Sequence, residues 1–210
     1  MSMLQGRNES SRRVLIAALA LATFAGCAWQ GSSPPSVTYV LRAVPSGTSV
    51  QGITPISLKI LPALAAPGYD TDRILLQRAD RSLDFFAASR WAAPAPRLLE
   101  TLALEVWRDG GAFKTFDVGA AVPTTHALRL TVLRFDVDGD LRAGSAVVRV
   151  RLRGTLLGQA DRSILELESE AIAPVGTERM TAIVAAYEAA ANEAMVKMRA
   201  AAMAELRVTR

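Results

Sequence analysis

The chain has 210 residues, of which 50% are hydrophobic and 21% are charged, and its formal net charge at pH 7 is +4. With one histidine and one cysteine, it lacks the residue sets of the common transition-metal sites and of a serine or cysteine triad. Its arginines alternate with glutamates or apolar residues, whereas a nucleic-acid interface needs a basic face interleaved with aromatic rings. We therefore expect no nucleic-acid partner.

The first 26 residues have the pattern of a bacterial lipoprotein signal peptide. Three arginines precede an uncharged apolar run over residues 14–25, which is too short for a mature membrane span of about 20 residues. Residues 24–27 (Phe-Ala-Gly-Cys) are similar to a lipobox, in which leucine is more usual at the first position. We expect cleavage after residue 26 and attachment of acyl chains such as palmitate to Cys27. The alternative is an ordinary signal peptide that leaves Cys27 as a free thiol.

Residues 27–36 contain the cysteine that would carry lipid, followed by small, polar and proline residues, a composition typical of a flexible linker. Residues 37–210 are long enough for a single domain with its own core. If Cys27 carries lipid, no thiol remains for a disulfide or a metal site, so the fold depends on its hydrophobic core. Apart from the covalent lipid, we expect no cofactor.

The first half of this domain is predicted to contain four strands. Alternation of apolar residues predicts strands over residues 37–43 and 56–60. Residues 73–78 and 82–88 are predicted to form a hairpin around a short turn. The segment between the second strand and this hairpin is rich in proline and glycine and is predicted to be a loop.

Two helices are predicted. Pro94 and Pro96 favour the start of the first helix, because proline is tolerated where a backbone N–H is not needed, and Gly110–Gly111 favours its end. Thr177 is predicted to cap the second helix. Apolar residues then recur at helical spacing over residues 180–198, which predicts that this helix packs against a sheet.

Three long strands are predicted between residues 125 and 172. A three-residue loop at 138–140 sets apolar residues opposite one another, whereas a two-residue turn would set Leu128 against Arg149 and is rejected. The pairs expected in this first hairpin are Leu128 with Val150, Leu130 with Val148 and Val132 with Ala146.

The second hairpin is predicted to turn between Gln159 and Ala160, because this register pairs three arginines with three glutamates. The expected pairs are Arg149 with Glu170, Arg151 with Glu168, Arg153 with Glu166 and, on the other face, Leu152 with Leu167. Taken together, the elements predict an α+β fold. It would consist of an antiparallel or mixed β-sheet with two main helices packed on one face.

Few residues suggest catalysis or metal binding. His126 lies on an alternating apolar strand, which favours a packing role over a ligand role. The Asp-Val-Asp-Gly-Asp run at residues 136–140 suggests calcium, but an EF-hand would need glycine where Leu141 stands and glutamate near Val147. An acidic hairpin tip is the favoured reading, and we predict that the protein is not an enzyme. A periplasmic enzyme with paired carboxylates would require acids that converge in a pocket.

Short motifs in a fixed order indicate a family. Residues 67–73 (Pro-Gly-Tyr-Asp-Thr-Asp-Arg) are similar to a Pro-x-Tyr-Leu-Asp-Arg segment, although they lack its leucine and carry one extra residue. Arg90 and Trp91, followed by Pro94, are similar to an Arg-Trp-x-x-Pro junction before a first helix. Together with the lipobox, the paired apolar strands and the long last helix, this set resembles the ABC-type transport auxiliary lipoproteins, the PqiC-like family.

The resemblance covers residues 37–200 and implies a non-catalytic accessory subunit of an MCE-type intermembrane lipid-transport system that supports envelope integrity. Its implied partners are an MCE-domain protein and the associated ABC transporter, and self-association is a further expectation. Alanine follows Cys27 where aspartate would signal retention in the inner membrane, so we expect the periplasmic face of the outer membrane. The alternative is a structural or assembly lipoprotein of the cell envelope without a role in lipid flux.

The same resemblance suggests which residues contact a partner. The candidates are Tyr69, Asp72, Arg73, Arg90 and Trp91. Tryptophan and arginine are frequent at interface hot spots, which supports an exposed role for these residues. For Trp91, however, burial as part of the hydrophobic core is the favoured role.

Overall fold

The computed structural model describes residues 36–45, 56–109, 111–158 and 163–208. Within the chain, Ser36–Arg210 forms one compact unit. The predicted signal peptide, Cys27 and the linker up to residue 35 lie outside the described residues. No helix in the described part is long and apolar enough to cross a membrane.

The described residues form nine strands and two helices, which confirms the predicted α+β fold. The first strand is shorter than predicted, and a two-residue strand lies in the segment predicted as a loop. In chain order the elements are β1 Val37–Tyr39, β2 Ile56–Ile60, β3 Leu64–Ala65, β4 Arg73–Gln77, β5 Leu83–Trp91, α1 Ala95–Arg108, β6 Phe113–Phe116, β7 His126–Asp138, β8 Val147–Leu157, β9 Ser163–Pro174 and α2 Met180–Val208.

Strand β7 is the centre of a mixed, open sheet. Along one edge it pairs antiparallel with β8, which pairs antiparallel with β9. Along the other edge it pairs in parallel with β2 near its start, with β3 in its middle and with β4 near its end. Strand β6 extends the sheet beyond β2, while β5 and then β1 extend it beyond β4. Strands β1 and β9 are therefore five strand positions apart.

Helix α1 begins and ends as its sequence predicts. Pro94 lies immediately before the helix and Pro96 in its first turn, where their missing N–H groups leave no helical bond unmade. Beyond the last turn, Gly111 has a φ of 73°, a conformation that glycine adopts without strain. The apolar side of the helix is buried against the sheet through Leu99, Leu102, Val106 and Trp107.

Helix α2 packs against the same face of the sheet. Three strands contribute buried residues to this face, among them Leu130, Val148 and Leu167. A glycine makes this approach possible. A Cβ atom placed on Gly154 of β8 would lie 2.5 Å from the Sδ atom of Met198. The helix begins at Met180, so the residue before it is Arg179 and not the predicted cap, Thr177. The N–H of Ile183 donates to the carbonyl of Arg179 in the first turn.

The first long hairpin has a longer connection than predicted, and its predicted register is wrong. Residues 139–146 join β7 to β8, instead of a three-residue loop at 138–140. Asp140 organises this connection, because its carboxylate accepts a hydrogen bond from the N–H of Arg142 (2.8 Å) and its carbonyl accepts one from Ser145 (3.1 Å). Leu128 pairs with Leu156 instead of Val150, Leu130 with Gly154 instead of Val148, and Val132 with Leu152 instead of Ala146.

The register predicted for the second hairpin is also wrong, by two residues. Strand β9 lies further along β8 than predicted, and the predicted turn at Gln159 and Ala160 falls outside the described residues. In the observed register Arg149 pairs with Ile172, Arg151 with Glu170, Leu152 with Ser169, Arg153 with Glu168 and Thr155 with Glu166.

Two of the three predicted ion pairs form nevertheless, because arginine side chains reach diagonally across the strands. Arg149 Nη1 lies 2.7 Å from Glu170, and Arg151 Nη2 lies 2.8 Å from Glu168. Arg153 contacts Glu168 at 2.6 Å instead of its predicted partner Glu166. The exposed face of this hairpin is therefore covered with matched charges, as its sequence suggests, although the backbone pairing differs.

Candidate functional site

The loop between β3 and β4 carries the first of the candidate contact residues. Gly68 has a φ of 90°, and a Cβ atom there would come within 3.0 Å of Leu83 Cδ1. Its flexibility lets the chain turn tightly, with the N–H of Tyr69 donating to the carbonyl of Ala66 (3.1 Å). The turn directs the Tyr69 side chain into the protein, where it is 9% exposed.

The Tyr69 hydroxyl donates a hydrogen bond of 2.7 Å to Asp136 Oδ2, and the Asp136 carboxylate is fully buried. Phe135 packs on Tyr187 of α2, so the alternation of side chains places Asp136 on the sheet face opposite the helices. Arg134 Nε also donates to Asp136, at 3.1 Å. Burial, and then the hydrogen bond to Asp136, raises the pKa of Tyr69 above that of free tyrosine.

Trp91 lies in the core, which is the role that the sequence favoured. It is 1% exposed, and its ring centroid is 5.1 Å from that of Tyr187 and 5.7 Å from that of Phe135. The edge-on contact with Tyr187 is a favourable arrangement of aromatic rings. The rings of Tyr69 and Trp91 are thus buried, so neither is available as an exposed contact.

The three remaining candidates, Asp72, Arg73 and Arg90, lie together at the surface, where Arg73 and Arg90 form an arginine pair. These residues are directly opposite each other on β4 and β5. Like charges in such positions repel, and each guanidinium has one compensating neighbour. The Arg73 guanidinium lies 3.9 Å from the centroid of the Phe85 ring, and Arg90 Nη1 lies 3.4 Å from Asp72 Oδ2. The pair and Asp72 together carry a net positive charge.

Backbone hydrogen bonds hold the arginine pair in a fixed position. The N–H of Trp91 donates to the carbonyl of Asp72 (2.7 Å), and the N–H of Ala95 donates to the carbonyl of Thr71 (3.0 Å). The loop before β4 is thereby attached to the end of β5 and to the start of α1. The two motifs that are distant in sequence, one around Tyr69 and one around Trp91, meet here as one structural unit.

A network of charges covers the sheet face that the helices leave open. Arg134 contacts Asp138 at 2.9 Å, Asp138 lies 3.5 Å from Arg149, and Arg149 contacts Glu170 at 2.7 Å. Each carboxylate in the network has a guanidinium partner, which indicates a structural role. The Arg-x-Asp-x-Asp spacing at 134–138 places these charges on one strand face, and it is the sequence signal that would have revealed the network.

The calcium reading of residues 136–140 fails on geometry. Asp136 binds Tyr69, Asp138 binds arginines, and Asp140 binds backbone N–H groups of its own loop. Among the described residues, no group of three or more histidine, cysteine, aspartate or glutamate side chains could hold a metal ion. His126 is half-buried at the start of β7, where its Nδ1 lies 2.9 Å from Thr125 Oγ1.

An open groove of about 750 Å³ lies beside this strand end, between the β4–β5 turn and the loop 139–146. Its charged residues are of both signs. Arg78 forms an ion pair with Asp84, which lies outside the groove, and Asp138 forms an ion pair with Arg134. The groove therefore presents no converging pair of free acids in its described lining. The lining residues are Leu76, Gln77, Arg78, Ala79, Asp138, Gly139, Asp140, Leu141, Arg142 and Glu178.

Comparison with known proteins identifies related folds. The structure of protein XCC0632 from Xanthomonas campestris is similar with a TM-score of 0.67 and 20% identity, over 78% of this chain and 93% of that one. The structure of an uncharacterized protein is similar with a TM-score of 0.58 and 11% identity, over 82% of this chain and 99% of that one. These likenesses show a shared fold. No curated protein matches the chain.

The model of one protein family, described as the ABC-type transport auxiliary lipoprotein component, matches residues 39–199. The match extends from the end of β1 into α2, so it includes the Tyr69 loop, the arginine pair and nearly all of the core. The description is that of an auxiliary component of transport. The chain belongs to the ABC-type transport auxiliary lipoprotein component family.

Proposed function

We propose that this protein is anchored by acyl chains on Cys27 at the periplasmic face of the outer membrane. There it acts as a non-catalytic accessory subunit of an MCE-type intermembrane lipid-transport system. Its partners are an MCE-domain protein and the associated ABC transporter. The family match over residues 39–199 is the observation that carries this proposal. The lipobox-like sequence before Cys27 supports the anchor.

The arginine pair supports a binding role and indicates the chemistry of the partner. Two exposed guanidinium groups in opposed positions repel each other, and a neighbouring anionic surface relieves this repulsion. Arginine binds carboxylates through two parallel hydrogen bonds, which gives geometric specificity. We expect the partner surface to present at least one carboxylate to Arg73 and Arg90.

Affinity purification of the lipidated protein from its native envelope, followed by mass spectrometry, tests the function. We expect an MCE-domain protein or its transporter ATPase in the eluate. Charge reversal of the arginine pair, Arg73→Glu with Arg90→Glu, should reduce this recovery. A matched control with the same charge change, Arg129→Glu with Arg142→Glu, should leave it unchanged, because both residues are exposed elsewhere.

Other outcomes would contradict the proposal. Recovery of cell-wall or assembly components alone would favour the structural or assembly lipoprotein. Equal recovery by the arginine-pair variant and its control would mean that the arginine pair does not contact the partner.

A further inference from the structure

Exposed apolar side chains are concentrated next to the end of the domain that leads to Cys27. Val37, Val40 and Val44 are 54%, 49% and 57% exposed. They account for three of the nine large apolar side chains that are exposed among the described residues, although they lie within ten residues of chain. Exposed apolar clusters of this kind mark contacts with another protein or with a membrane.

The segment 36–45, which carries these valines, has a fixed inner and outer side. Tyr39, Leu41 and Ala43 pack against the core, so the alternating residues Val40, Arg42 and Val44 point outward. Val37 is exposed at the start of β1 and lies on the other side of this alternation. The segment lies at the edge of the sheet, because β1 pairs only with β5 among the described strands. Nothing in the described part of the protein covers the three valines.

Hydrogen bonds from α2 hold the second half of the segment. The N–H of Arg42 donates to Glu188 Oε1 (3.1 Å), and the N–H of Val44 donates to Asn192 Oδ1 (2.8 Å). The amide of Asn192 in turn donates to the carbonyl of Arg42 (2.9 Å). The valines are therefore displayed by a rigid part of the protein, and their exposure does not come from a loose end.

A shallow groove of about 220 Å³ separates the segment from the first turns of α2. Its lining combines the apolar residues Val40, Val184 and Ala185 with the polar residues Tyr39, Arg42, Thr181 and Glu188. The Arg42 side chain is exposed and makes no ion pair with a described residue. The carboxylate of Glu188 accepts a hydrogen bond from the N–H of Arg42, while the Arg42 guanidinium is left for a lipid phosphate. Apolar groups beside such a cation suit the interface of a phospholipid bilayer.

The length of the linker limits how far this surface can be from a membrane. Ser36 is nine residues after Cys27, and nine residues span at most about 30 Å when fully extended. If Cys27 carries acyl chains, the exposed valines follow directly from a chain that starts in the bilayer. The bilayer is then the nearest apolar phase.

We propose that the segment 36–45 and the first turns of α2 rest on the phospholipid surface. Val40 and Val44 enter the interface, and Arg42, on the same side of the segment, lies at the level of the lipid phosphates. This contact gives the domain one orientation, with β1 at the membrane and β9 at the far edge of the sheet. The inference rests on the proposed lipid anchor at Cys27, and it adds a second contact between protein and membrane.

Site-specific fluorescence quenching tests the orientation in the full lipidated chain. Since Cys27 is the only cysteine, a cysteine introduced by Val40→Cys or Ile172→Cys is the one free thiol and can carry a polarity-sensitive fluorophore. Ile172 is a matched control, because it is 46% exposed and lies on β9. The proteins are bound to vesicles of phosphatidylethanolamine and phosphatidylglycerol that contain a lipid with a nitroxide near its headgroup.

We expect quenching at position 40 to exceed that at position 172 by about threefold or more, because five strand spacings separate the two edges by about 24 Å. Adding Val44→Asp should reduce the quenching at position 40 to the level at position 172. The control substitution Val118→Asp, at another exposed valine, should leave it unchanged.

The outcomes separate this inference from the proposed function. A protein that floats with the vesicles but is quenched equally at both positions is anchored without orientation, which overturns the inference alone. A blue-shifted but unquenched fluorophore at position 40 means that protein, and not lipid, covers this surface, which also overturns the inference. If the wild-type chain carries no lipid on Cys27 and does not float with the vesicles, the proposed anchor and this inference both fail.

Discussion

The Tyr69 hydroxyl and the Asp136 carboxylate form a buried hydrogen bond that joins the loop before β4 to the central strand of the sheet. The two residues are 67 positions apart in the sequence. Because the loop also carries Asp72 and precedes Arg73, this bond positions the exposed arginine pair. It connects the core of the protein to the surface that we propose as the partner contact.

Removal of the Tyr69 hydroxyl should destabilise the protein. In Tyr69→Phe, the buried Asp136 carboxylate loses one of its donors, which should lower the free energy of unfolding by about 1–3 kcal/mol. Urea denaturation followed by circular dichroism measures this change. Tyr39→Phe is a suitable control, because Tyr39 is only half-buried. A Tyr69→Phe protein as stable as the wild type would show that the bond contributes nothing to the fold.

Stability should decrease at alkaline pH. Burial raises the pKa of both Tyr69 and Tyr187 above the value of 10.0 for free tyrosine. The contribution of these groups is fully present below about pH 10 and is lost at higher pH, because the unfolded chain then releases protons that the folded protein retains. We expect the urea midpoint to fall above about pH 10, with a shallower fall in Tyr69→Phe. Equal slopes for the two proteins would mean that Tyr69 is not responsible.

The observed register of β8 and β9 can be tested by charge reversal. Glu168 lies opposite Arg153 and receives hydrogen bonds from both Arg151 and Arg153, which lower its pKa. Glu168→Arg should reduce the urea midpoint, and adding Arg153→Glu should partly restore it. Glu166→Arg, on the same exposed face, should have a smaller effect. Additive effects of Glu168→Arg and Arg153→Glu would contradict direct pairing of these residues.

A side chain at Gly154 would require the end of the Met198 side chain of α2 to move. In Gly154→Ala, the added methyl group would displace Met198, and we expect a loss of about 1–3 kcal/mol in the free energy of unfolding. Gly176→Ala is the matched control, since a Cβ atom at that position meets nothing within 4 Å. Thermal denaturation of both variants would show whether only Gly154 is sensitive.

Lipid attachment at Cys27 stays a prediction that fractionation can test. Cys27→Ser should move the protein from the membrane fraction to the soluble periplasmic fraction, and its circular dichroism spectrum should not change. Retention of the variant in the membrane fraction after a high-salt wash would refute the lipid anchor.

The elements of the fold could be predicted from the sequence because their signals are local. Alternation located β2, β7 and β8, and the prolines and glycines placed both ends of α1. The register could not be predicted in the same way. A shift of two residues in an alternating strand again sets apolar residues against apolar residues, so the pattern satisfies several registers equally. The observed register goes together with a long loop organised by Asp140 and with a bulge between Val132 and Arg134, and simple alternation reveals neither.

The candidate site was only partly predictable for a related reason. The short motifs correctly marked the Tyr69 loop and the Arg90–Trp91 junction as one region, but a motif contains no information about burial. Trp91 is enclosed by aromatic residues from β7 and α2 that are distant in sequence. The opposition of Arg73 and Arg90 depends on the bulge in the pairing of β4 with β5, which alternation does not reveal.

The attachment of the segment 36–45 has a mechanical consequence for a tethered protein. Tension on the chain before Ser36 acts first on β1, which has three paired residues, and only then on the hydrogen bonds that α2 makes to Arg42 and Val44. Separation of β1 from β5 would release about 10 Å of extra reach while α2 still held the domain closed. The domain can therefore yield to a small displacement between membrane and partner before its core bears any force.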